Sequence, residues 1–198
     1  MRRMSRSSRE VEVKLGFDSA DRALAAIAAL GAHGVSERSF EDNVVYDRET
    51  DPLRESGKLL RLRRVGGRAI VTYKEPVPGE HRHKVRGEAE IEIDDPDEFV
   101  RIVEGLGFRP AYRYQKYRTE FRLDDLKLLL DETPIGCFVE LEGPPEAIDR
   151  AARALGRVPS DYVLETYREI HERVARSRGA APGDLVFDDL TGSGSGSR

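Results

Sequence analysis

Residues 59–74, LLRLRRVGGRAIVTYK, contain two alternating segments joined by Gly66–Gly67. A glycine pair between two such runs is a strong β-hairpin signal, because a tight hairpin turn needs backbone conformations that glycine adopts without strain. Side chains alternate between the two faces of a strand, so Arg61 and Arg63 share one face of the first strand. Lys74 lies on one face of the second strand. The hairpin is therefore predicted to carry positive charge on one side.

The same alternation recurs in five further segments on both sides of this hairpin. Their charged positions with a common face are Glu10, Glu12, Lys14, Arg86, Glu88, Glu90, Glu92, Lys116, Arg118, Lys127, Asp131, Glu140 and Glu142. In one strand, such a pattern is typical of an ordinary sheet with one face in water. Here amphipathic helices, such as the one predicted after Ser19, also need an apolar sheet face to cover. The sequence therefore predicts an α+β fold, a closed antiparallel β-barrel tunnel of about eight strands with helices packed on the outside.

Both signs of charge would then line one cavity. Arginine forks match phosphate oxygens, and lysine supplies a compact positive charge, so the bases suit a polyanion. Clustered carboxylates suit a hard divalent cation such as Mg²⁺ or Mn²⁺, because these ions prefer oxygen ligands. Residue types and alternation together predict a site for a metal ion and a polyphosphate.

Composition limits the other possibilities. The chain has 198 residues, a net charge of −4 and one cysteine, Cys137. This length fits one domain, which we assign to residues 9–178, with a flexible lead-in at 1–8 and a flexible tail at 179–198. The charge does not favour nucleic-acid or anionic-membrane binding, and no apolar run approaches the roughly 20 residues that span a bilayer. A lone cysteine suits the cytoplasm, and a monomer and a homodimer are both compatible with the sequence.

The order of motifs resembles one family. EVEVK at 10–14 is similar to the ExExK signature that opens CYTH, or triphosphate tunnel, proteins, which include class IV adenylate cyclases, thiamine triphosphatases and inorganic triphosphatases. DNVVYD, LLRLRR, TYK, RGEAE, QKYR and LLLDETPIGCFVELEG follow in the same order. The resemblance spans roughly Glu10 to Tyr167, and it implies a barrel whose interior is the active site.

The resemblance also implies roles for individual residues. Metal-binding acids correspond to Glu10, Glu12, Glu140 and Glu142, with Asp131 as a further candidate. Triphosphate-binding bases correspond to Arg61, Arg63, Lys74 and Arg118, with Lys116 and Arg86 as further candidates. Lys14 matches the family lysine near the scissile phosphate, and Glu90 lies where related enzymes keep an acid in the tunnel; these two are the catalytic candidates.

Three functions follow as alternatives. The first is a metal-dependent hydrolase of a small-molecule triphosphate, namely tripolyphosphate, thiamine triphosphate or a nucleoside triphosphate. The second is a class IV adenylate cyclase, although Ser-Ser-Arg at 7–9 replaces the His-Phe pair that precedes the signature in such cyclases. The third is a non-catalytic polyphosphate- or nucleotide-binding module, which the presence of both charge clusters disfavours.

Some segments are left outside the predicted site. The charged helix predicted over 160–178 is interpreted as a solvated element, because Glu165 stands where many family members have a lysine before a Thr-Tyr pair. His81 and His83 are interpreted as solvated loop residues, since no further ligand has useful spacing. Crowding of Glu10, Glu12, Glu140 and Glu142 is expected to raise some of their pKa values, so Glu140→Gln is expected to keep or improve the stability of the metal-free protein near neutral pH.

Overall fold

The computed structural model describes residues 8–79 and 82–187, which form nine strands and four α-helices. The strands are β1 Ser8–Phe17, β2 His33–Gly34, β3 Ser39–Asp47, β4 Leu59–Val65, β5 Arg68–Pro76, β6 Lys84–Ile93, β7 Arg109–Leu123, β8 Leu126–Thr133 and β9 Gly136–Glu142. The helices are α1 Ala20–Ala29, α2 Pro96–Gly105, α3 Pro145–Ala154 and α4 Tyr167–Ser177. Short 3₁₀ helices at Leu53–Ser56 and Pro159–Asp161 complete the described elements.

Eight of the strands close into an antiparallel barrel. The sheet runs β2-β7-β3-β4-β5-β6-β1-β9-β8, and a further pairing of β7 with β8 joins its two ends. The 15-residue β7 makes this closure possible, because residues 109–118 pair with β3 and residues 117–123 pair with β8. The strand β2 adds two residues beside β7. The predicted closed barrel of about eight strands is confirmed.

The outer face of the barrel holds the apolar core. Helices α1 and α3 pack on β1, β8 and β9, where Val13, Leu128 and Leu141 lie fully buried with Ile148 of α3. Helix α2 packs on β3, β4 and β5 through a separate cluster around Leu62. This arrangement leaves the alternate side chains of the barrel strands, which include the predicted charged positions, facing inward.

The hairpin between β4 and β5 turns at the predicted glycines. Gly66 has φ 54° and Gly67 has φ 76°, and consecutive positive φ values are typical of the tight turn that matches the twist of a hairpin. The register that follows pairs Arg61 with Thr72 and Arg63 with Ile70, so the two basic positions face the barrel interior next to β5.

The C-terminal region differs from its prediction. Helix α4 begins at Tyr167, not near residue 160, because Val163 forms a β-bridge with Lys14 of β1 and Thr166 caps the helix. After α4, residues 184–187 lie along β7, where Leu185 bridges Tyr114 and is 3% exposed. This packed segment differs from the flexible tail that the sequence predicts from residue 179 onward. Residues 1–7 and 188–198 of the predicted lead-in and tail lie outside the described residues.

Among the residues described, no helix combines the length and apolar character that crossing a membrane requires.

Candidate functional site

The barrel interior contains two adjoining cavities. The larger, of about 220 Å³, lies towards α4 and is rich in basic side chains. The smaller, of about 190 Å³, lies beside Glu88 and Glu90. Glu10, Arg118 and Glu142 line both cavities, so the two spaces meet at these three residues. The inner faces of β1, β4 to β7 and β9 thus enclose one continuous charged site.

Three predicted metal ligands converge at the junction of the two cavities. Carboxylate oxygens of Glu10, Glu12 and Glu142 all lie within 4.8 Å of one another. The register explains this grouping, because Glu12 pairs directly with Glu142 across β1 and β9, and Glu10 follows on the same face of β1. Three carboxylates at this spacing fit the oxygen ligand set of a divalent cation.

Lysines neutralise this acid cluster in the structure. Lys74 binds Glu10, Lys84 Nζ lies 3.1 Å from Glu12 Oε1, and Lys127 Nζ lies 3.0 Å from Glu142 Oε2. Each carboxylate therefore has a lysine ammonium group as its partner. A bound cation would replace these partners and leave the ammonium groups available to an anion.

The other two predicted metal ligands are engaged by bases. Glu140 Oε2 accepts a hydrogen bond from Arg118 Nη2 at 2.5 Å, and Glu140 Oε1 lies 3.3 Å from Lys14 Nζ. Asp131 is fully buried and accepts from Lys116 Nζ at 2.8 Å, Arg118 Nε at 2.6 Å and Tyr167 Oη at 2.7 Å. Asp131 is not among the residues that line the two cavities. Its geometry orients Lys116 and Arg118 from behind.

The arginines of β4 lie side by side on the inner wall. Arg61 donates to Tyr114 Oη at 2.9 Å and to Thr72 Oγ1 at 3.0 Å, and it lines the larger cavity. Arg63 donates to Glu90 Oε2 at 3.1 Å and lines the smaller cavity. Both guanidinium groups are thus held at their Nη atoms on the wall of a cavity, where arginine forks suit phosphate oxygens.

Arg86 and Glu90 occupy opposite ends of the β6 inner face. Arg86 donates to the carbonyl oxygen of Gly57 at 2.7 Å and lines the larger cavity. Glu90 lines the smaller cavity, where its Oε2 accepts from Arg63 and Thr72. The structure therefore brings twelve of the thirteen predicted site residues to the walls of the two cavities, with Asp131 behind them.

The expected rise in pKa does not occur at Glu12 or Glu140. Burial alone would raise the pKa of Glu12, but the neighbouring lysines outweigh burial and the repulsion from Glu140, and they lower that pKa to about 2. Burial is likewise outweighed at Glu140, where Lys14 and Arg118 hold the pKa well below its usual range. These bases form closer ion pairs than the sequence pattern alone indicates.

Two other carboxylates follow the expected direction. Burial raises the pKa of Glu142 because Lys127 only partly offsets it, and burial also raises the pKa of Glu88. Both groups lie next to other acids, Glu142 beside Glu10 and Glu140, and Glu88 beside Glu10 and Glu90.

Two residues of the site, Lys84 and Glu41, were not among those predicted from the sequence. Lys84 has the same strand parity as Arg86, and Glu41 has the parity of an inward residue on β3, so alternation could have identified both. Burial and Lys14 lower the pKa of Lys84 to about 8 despite the attraction of Glu12. Glu41 is 3% exposed and pairs with Arg63 and Lys116.

Helix α4 belongs to the site, contrary to the prediction. Tyr167 is buried, its hydroxyl binds Asp131, and Lys14 Nζ lies 5.4 Å from its ring centroid. Thr166 and Arg168 also line the larger cavity. Glu165, where the family pattern has a lysine, instead pairs with Arg173 on the exposed side of the helix. The tyrosine after the threonine, not the residue before it, carries the contact with the tunnel.

One of the two histidines is also not a solvated loop residue. His83 is 8% exposed, its Nε2 lies 2.8 Å from Asp149 Oδ1, and Tyr162 donates to the same oxygen at 2.8 Å. This cluster joins the start of β6 to α3, away from the tunnel lining. His81 lies outside the described residues.

Comparison with known proteins places this geometry in context. The family model described as the CYTH domain matches residues 8–158. A Pyrococcus horikoshii structure has 26% identity and a TM-score of 0.66, with 80% of this chain and 96% of that chain covered. Comparison with curated proteins gives no match.

Two further solved structures share the fold at lower identity. A Vibrio parahaemolyticus protein described as a candidate adenylate cyclase has 21% identity and a TM-score of 0.70, with 83% of this chain and 98% of that chain covered. A Hippeastrum protein, described as a candidate adenylyl cyclase with a dominant triphosphatase activity, has 18% identity and a TM-score of 0.57. In that comparison 87% of this chain and 97% of that chain are covered.

Proposed function

This chain belongs to the CYTH domain family, and from that membership we propose that it is a divalent-metal-dependent hydrolase of a small-molecule triphosphate. One observation carries the proposal. The cluster of Glu10, Glu12 and Glu142 opens into the same enclosed cavity as Arg61, Lys74 and Arg118. Simple anion binding needs only the bases, whereas phosphoryl transfer also uses metal ions to neutralise charge on the phosphate oxygens.

We assign the metal site to Glu10, Glu12 and Glu142, with Glu140 as a further ligand once Arg118 turns to substrate. A Mg²⁺ or Mn²⁺ ion bound there would supply charge neutralisation at the phosphate oxygens and a lowered pKa for a coordinated water. The phosphate chain would be held by six bases, namely Arg61, Arg63, Lys74, Arg86, Lys116 and Arg118. The roles of Asp131 and Tyr167 are to position Lys116 and Arg118.

Lys14 and Glu90 remain the catalytic candidates. Burial would lower the pKa of Lys14, but Glu12 and Glu140 outweigh burial and raise that pKa above its ordinary value. Lys14 is therefore an ammonium at neutral pH, suited to stabilising negative charge and unsuited to acting as a base. Glu90 faces the smaller cavity, where it is held by Arg63 and Thr72. In hydrolysis, water adds to the terminal phosphorus atom and diphosphate leaves.

Hydrolysis is favoured over cyclisation by two considerations. Ser-Ser-Arg stands at 7–9 in place of the His-Phe pair of the cyclases that the sequence resembles. The structurally similar Hippeastrum protein is described as having a dominant triphosphatase activity. The lone cysteine supports a location in the reducing cytoplasm, and we propose residues 9–178 as the catalytic domain.

The test is turnover of three substrates with product identification. The full chain is incubated with tripolyphosphate, thiamine triphosphate or ATP and with Mg²⁺ or Mn²⁺, and products are separated by chromatography. We expect release of phosphate that stops with excess chelator and returns with metal. Cyclic AMP with pyrophosphate would assign the chain to the cyclases instead. Binding of a triphosphate without turnover would leave only the binding-module function.

Paired variants connect this activity to the acid cluster. Glu12→Gln should abolish turnover, because it removes one of three carboxylates at the metal site. Glu92→Gln is the matched control, since Glu92 lies on β6 of the same sheet but its side chain is 52% exposed and its Oε2 lies 3.9 Å from Arg68 Nη1. Full activity of Glu12→Gln would refute the assignment of the metal site.

A further inference from the structure

Asn43 lies on the inner wall of the barrel with its amide unpaired. It is fully buried, and neither its Oδ1 nor its Nδ2 has a hydrogen-bond partner among the described residues. Its position on β3 places it opposite Arg63 of β4 and Tyr114 of β7, which line the smaller and the larger cavity respectively. The amide therefore lies on the inner wall between a residue of the smaller cavity and a residue of the larger one. A buried amide in this state loses the hydrogen bonds that it makes to water in the unfolded chain.

Other buried polar atoms without hydrogen bonds belong to residues at neighbouring positions of β3 and β4. Nε of Arg61 and Nε of Arg63 are buried without hydrogen-bond partners in the part of the chain that the structure describes. Glu41 Oε2 is also without a hydrogen bond there, although Lys116 Nζ lies 3.6 Å away. Glu41 and Asn43 are two residues apart on one strand, so they share its inward face. The group contains donors on the two arginines and on Asn43, and acceptors on Asn43 and Glu41.

The mixture of donors and acceptors identifies the ligand. A phosphate oxygen only accepts, so it would be repelled by Glu41, whose pKa of about 2 keeps it ionised because Lys116, Arg118 and Arg63 outweigh its burial. A metal ion would be repelled by the two guanidinium groups. Water donates twice and accepts, and buried water binds where two to four such groups converge.

We propose that Glu41, Asn43 and the Nε atoms of Arg61 and Arg63 bind ordered water inside the barrel wall, and that this water positions the two arginines for the phosphate chain. The second part of this inference, that the water positions the arginines for phosphate, rests on the proposed function. The Nη atoms of both guanidinium groups bind interior side chains, those of Arg61 binding Tyr114 and Thr72 and those of Arg63 binding Glu90 and Glu41, whereas each Nε has no partner among the described residues. Water bound at the Nε side would fix the guanidinium planes while their ends exchange Tyr114 and Glu90 for phosphate oxygens. Asn43 is thus a positioning residue.

A crystal structure of the full chain tests the water itself, without reference to activity. We expect solvent density within about 2.7–3.2 Å of the Asn43 amide and of Glu41 Oε2. Direct hydrogen bonds from the arginine Nε atoms to Asn43 Oδ1, with no solvent between them, would overturn the proposal. This result would leave the proposed hydrolase activity intact, so the two ideas fail separately.

Kinetics test the positioning role. Asn43→Leu removes the donor and the acceptor at similar volume, and we expect KM for tripolyphosphate to rise about tenfold while kcat stays within about twofold. Asn43→Ser keeps a donor and an acceptor and should stay within about threefold of the parent KM. An unchanged KM in Asn43→Leu would contradict the role. If Asn43→Leu does not fold, crystal structures of Asn43→Ser and of the parent protein are compared instead. The serine variant should retain the water at Glu41, and loss of that water would contradict the role.

Gln115→Leu is the matched control. Gln115 is also a buried amide, at 4% exposure, but its Oε1 accepts from the Phe187 amide and it lies on the opposite face of β7. Its loss should lower stability without changing KM, which is the reverse of the pattern expected for Asn43→Leu. A rise in KM of the same size in Gln115→Leu would mean that any lost buried amide disturbs the tunnel, and the proposal would fall.

Discussion

Glu140 and Glu142 lie two residues apart on the inner face of β9, yet their environments differ. Glu140 is bound by Arg118 and Lys14, whereas the nearest base to Glu142 is Lys127, whose side chain is 30% exposed. The pKa of Glu140 is accordingly held well below its usual range, and burial raises the pKa of Glu142. Replacing each acid by a neutral residue should therefore change the free energy of unfolding in opposite directions.

Glu140→Gln should destabilise the metal-free protein by about 3–5 kcal/mol at neutral pH, because it leaves Arg118 and Lys14 buried without their full complement of charge. Glu142→Gln should keep or improve stability, since a raised folded-state pKa means that the ionised form is disfavoured on folding. Urea denaturation of both variants in excess chelator measures this difference. Equal stability of the two variants would contradict the ion-pair assignment.

Acid should unfold the metal-free protein through the depressed carboxylates. Folded-state pKa values near 2 at Glu12 and Glu41 lie below those of the unfolded chain, so their contribution is complete above about pH 4.5 and is lost as pH falls towards 2. We expect the free energy of unfolding to fall steeply over this window in a pH series of urea titrations. Glu140→Gln should make the free energy of unfolding depend less steeply on pH, because one carboxylate with a lowered pKa is gone. An unaltered pH dependence would show that Glu140 does not contribute to it.

At the residue scale, alternation predicted most of the site because the inward face of a strand is fixed by parity. Lys84 and Glu41 fit the same parity, so the same rule applies to both of them. The pKa directions were not predictable in this way. They depend on which base reaches which acid, and Arg118 and Glu140 are 22 residues apart in sequence but joined through the register of β7, β8 and β9.

At the element scale, α4 is fixed at both ends. Val163 pairs with Lys14 before the helix, and Leu185 pairs with Tyr114 after it, so the chain crosses the end of the barrel between β1 and β7. Arg54 of the 3₁₀ helix at 53–56 lies 3.5 Å from Glu172 and adds an ion pair to this cover. Access to the larger cavity therefore depends on how firmly these contacts hold the helix.

Leu185→Ala should cost about 2–5 kcal/mol, as for other buried leucines, and should also loosen α4. Hydrogen exchange of the α4 amides should accelerate in this variant relative to those of β4 and β5. Val186→Ala is the control, because Val186 is only half-buried and should leave exchange close to that of the parent. Uniform acceleration across the whole barrel would indicate global destabilisation and no specific tether.

The sequence predicted strands better than it predicted the C-terminal region, for a physical reason. Strand faces follow a local period of two, and the Gly66–Gly67 turn is equally local. The start of α4 depends on Val163 pairing with Lys14, which is 149 positions away in the chain. The packing of Leu185 depends on β8 leaving the edge of β7 open near Tyr114, which no local pattern reports.

At the scale of the whole molecule, opposite charges nearly balance inside the tunnel. A triphosphate entering alone would add several negative charges to that space, and a metal ion entering alone would displace lysines with no new partner for them. We expect tripolyphosphate with Mg²⁺ or Mn²⁺ to stabilise the protein by about 2.7 kcal/mol at one hundred times Kd, and either component alone to do much less. Melting curves with each component and with both measure this; equal protection by tripolyphosphate alone would contradict joint binding.

The pairing of β1 with β9 has a consequence for the nascent chain. Lys14 of β1 pairs with Glu140 of β9. At ~5–20 residues per second, the ribosome needs about 6 to 25 seconds after it adds Lys14 to reach Glu140. During that time the β9 edge of β1 is exposed, and an uncovered strand edge is a template for aggregation. Charged side chains protect such edges. Glu10, Glu12 and Lys14 would therefore guard the growing polypeptide against misassembly before there is any tunnel for them to line.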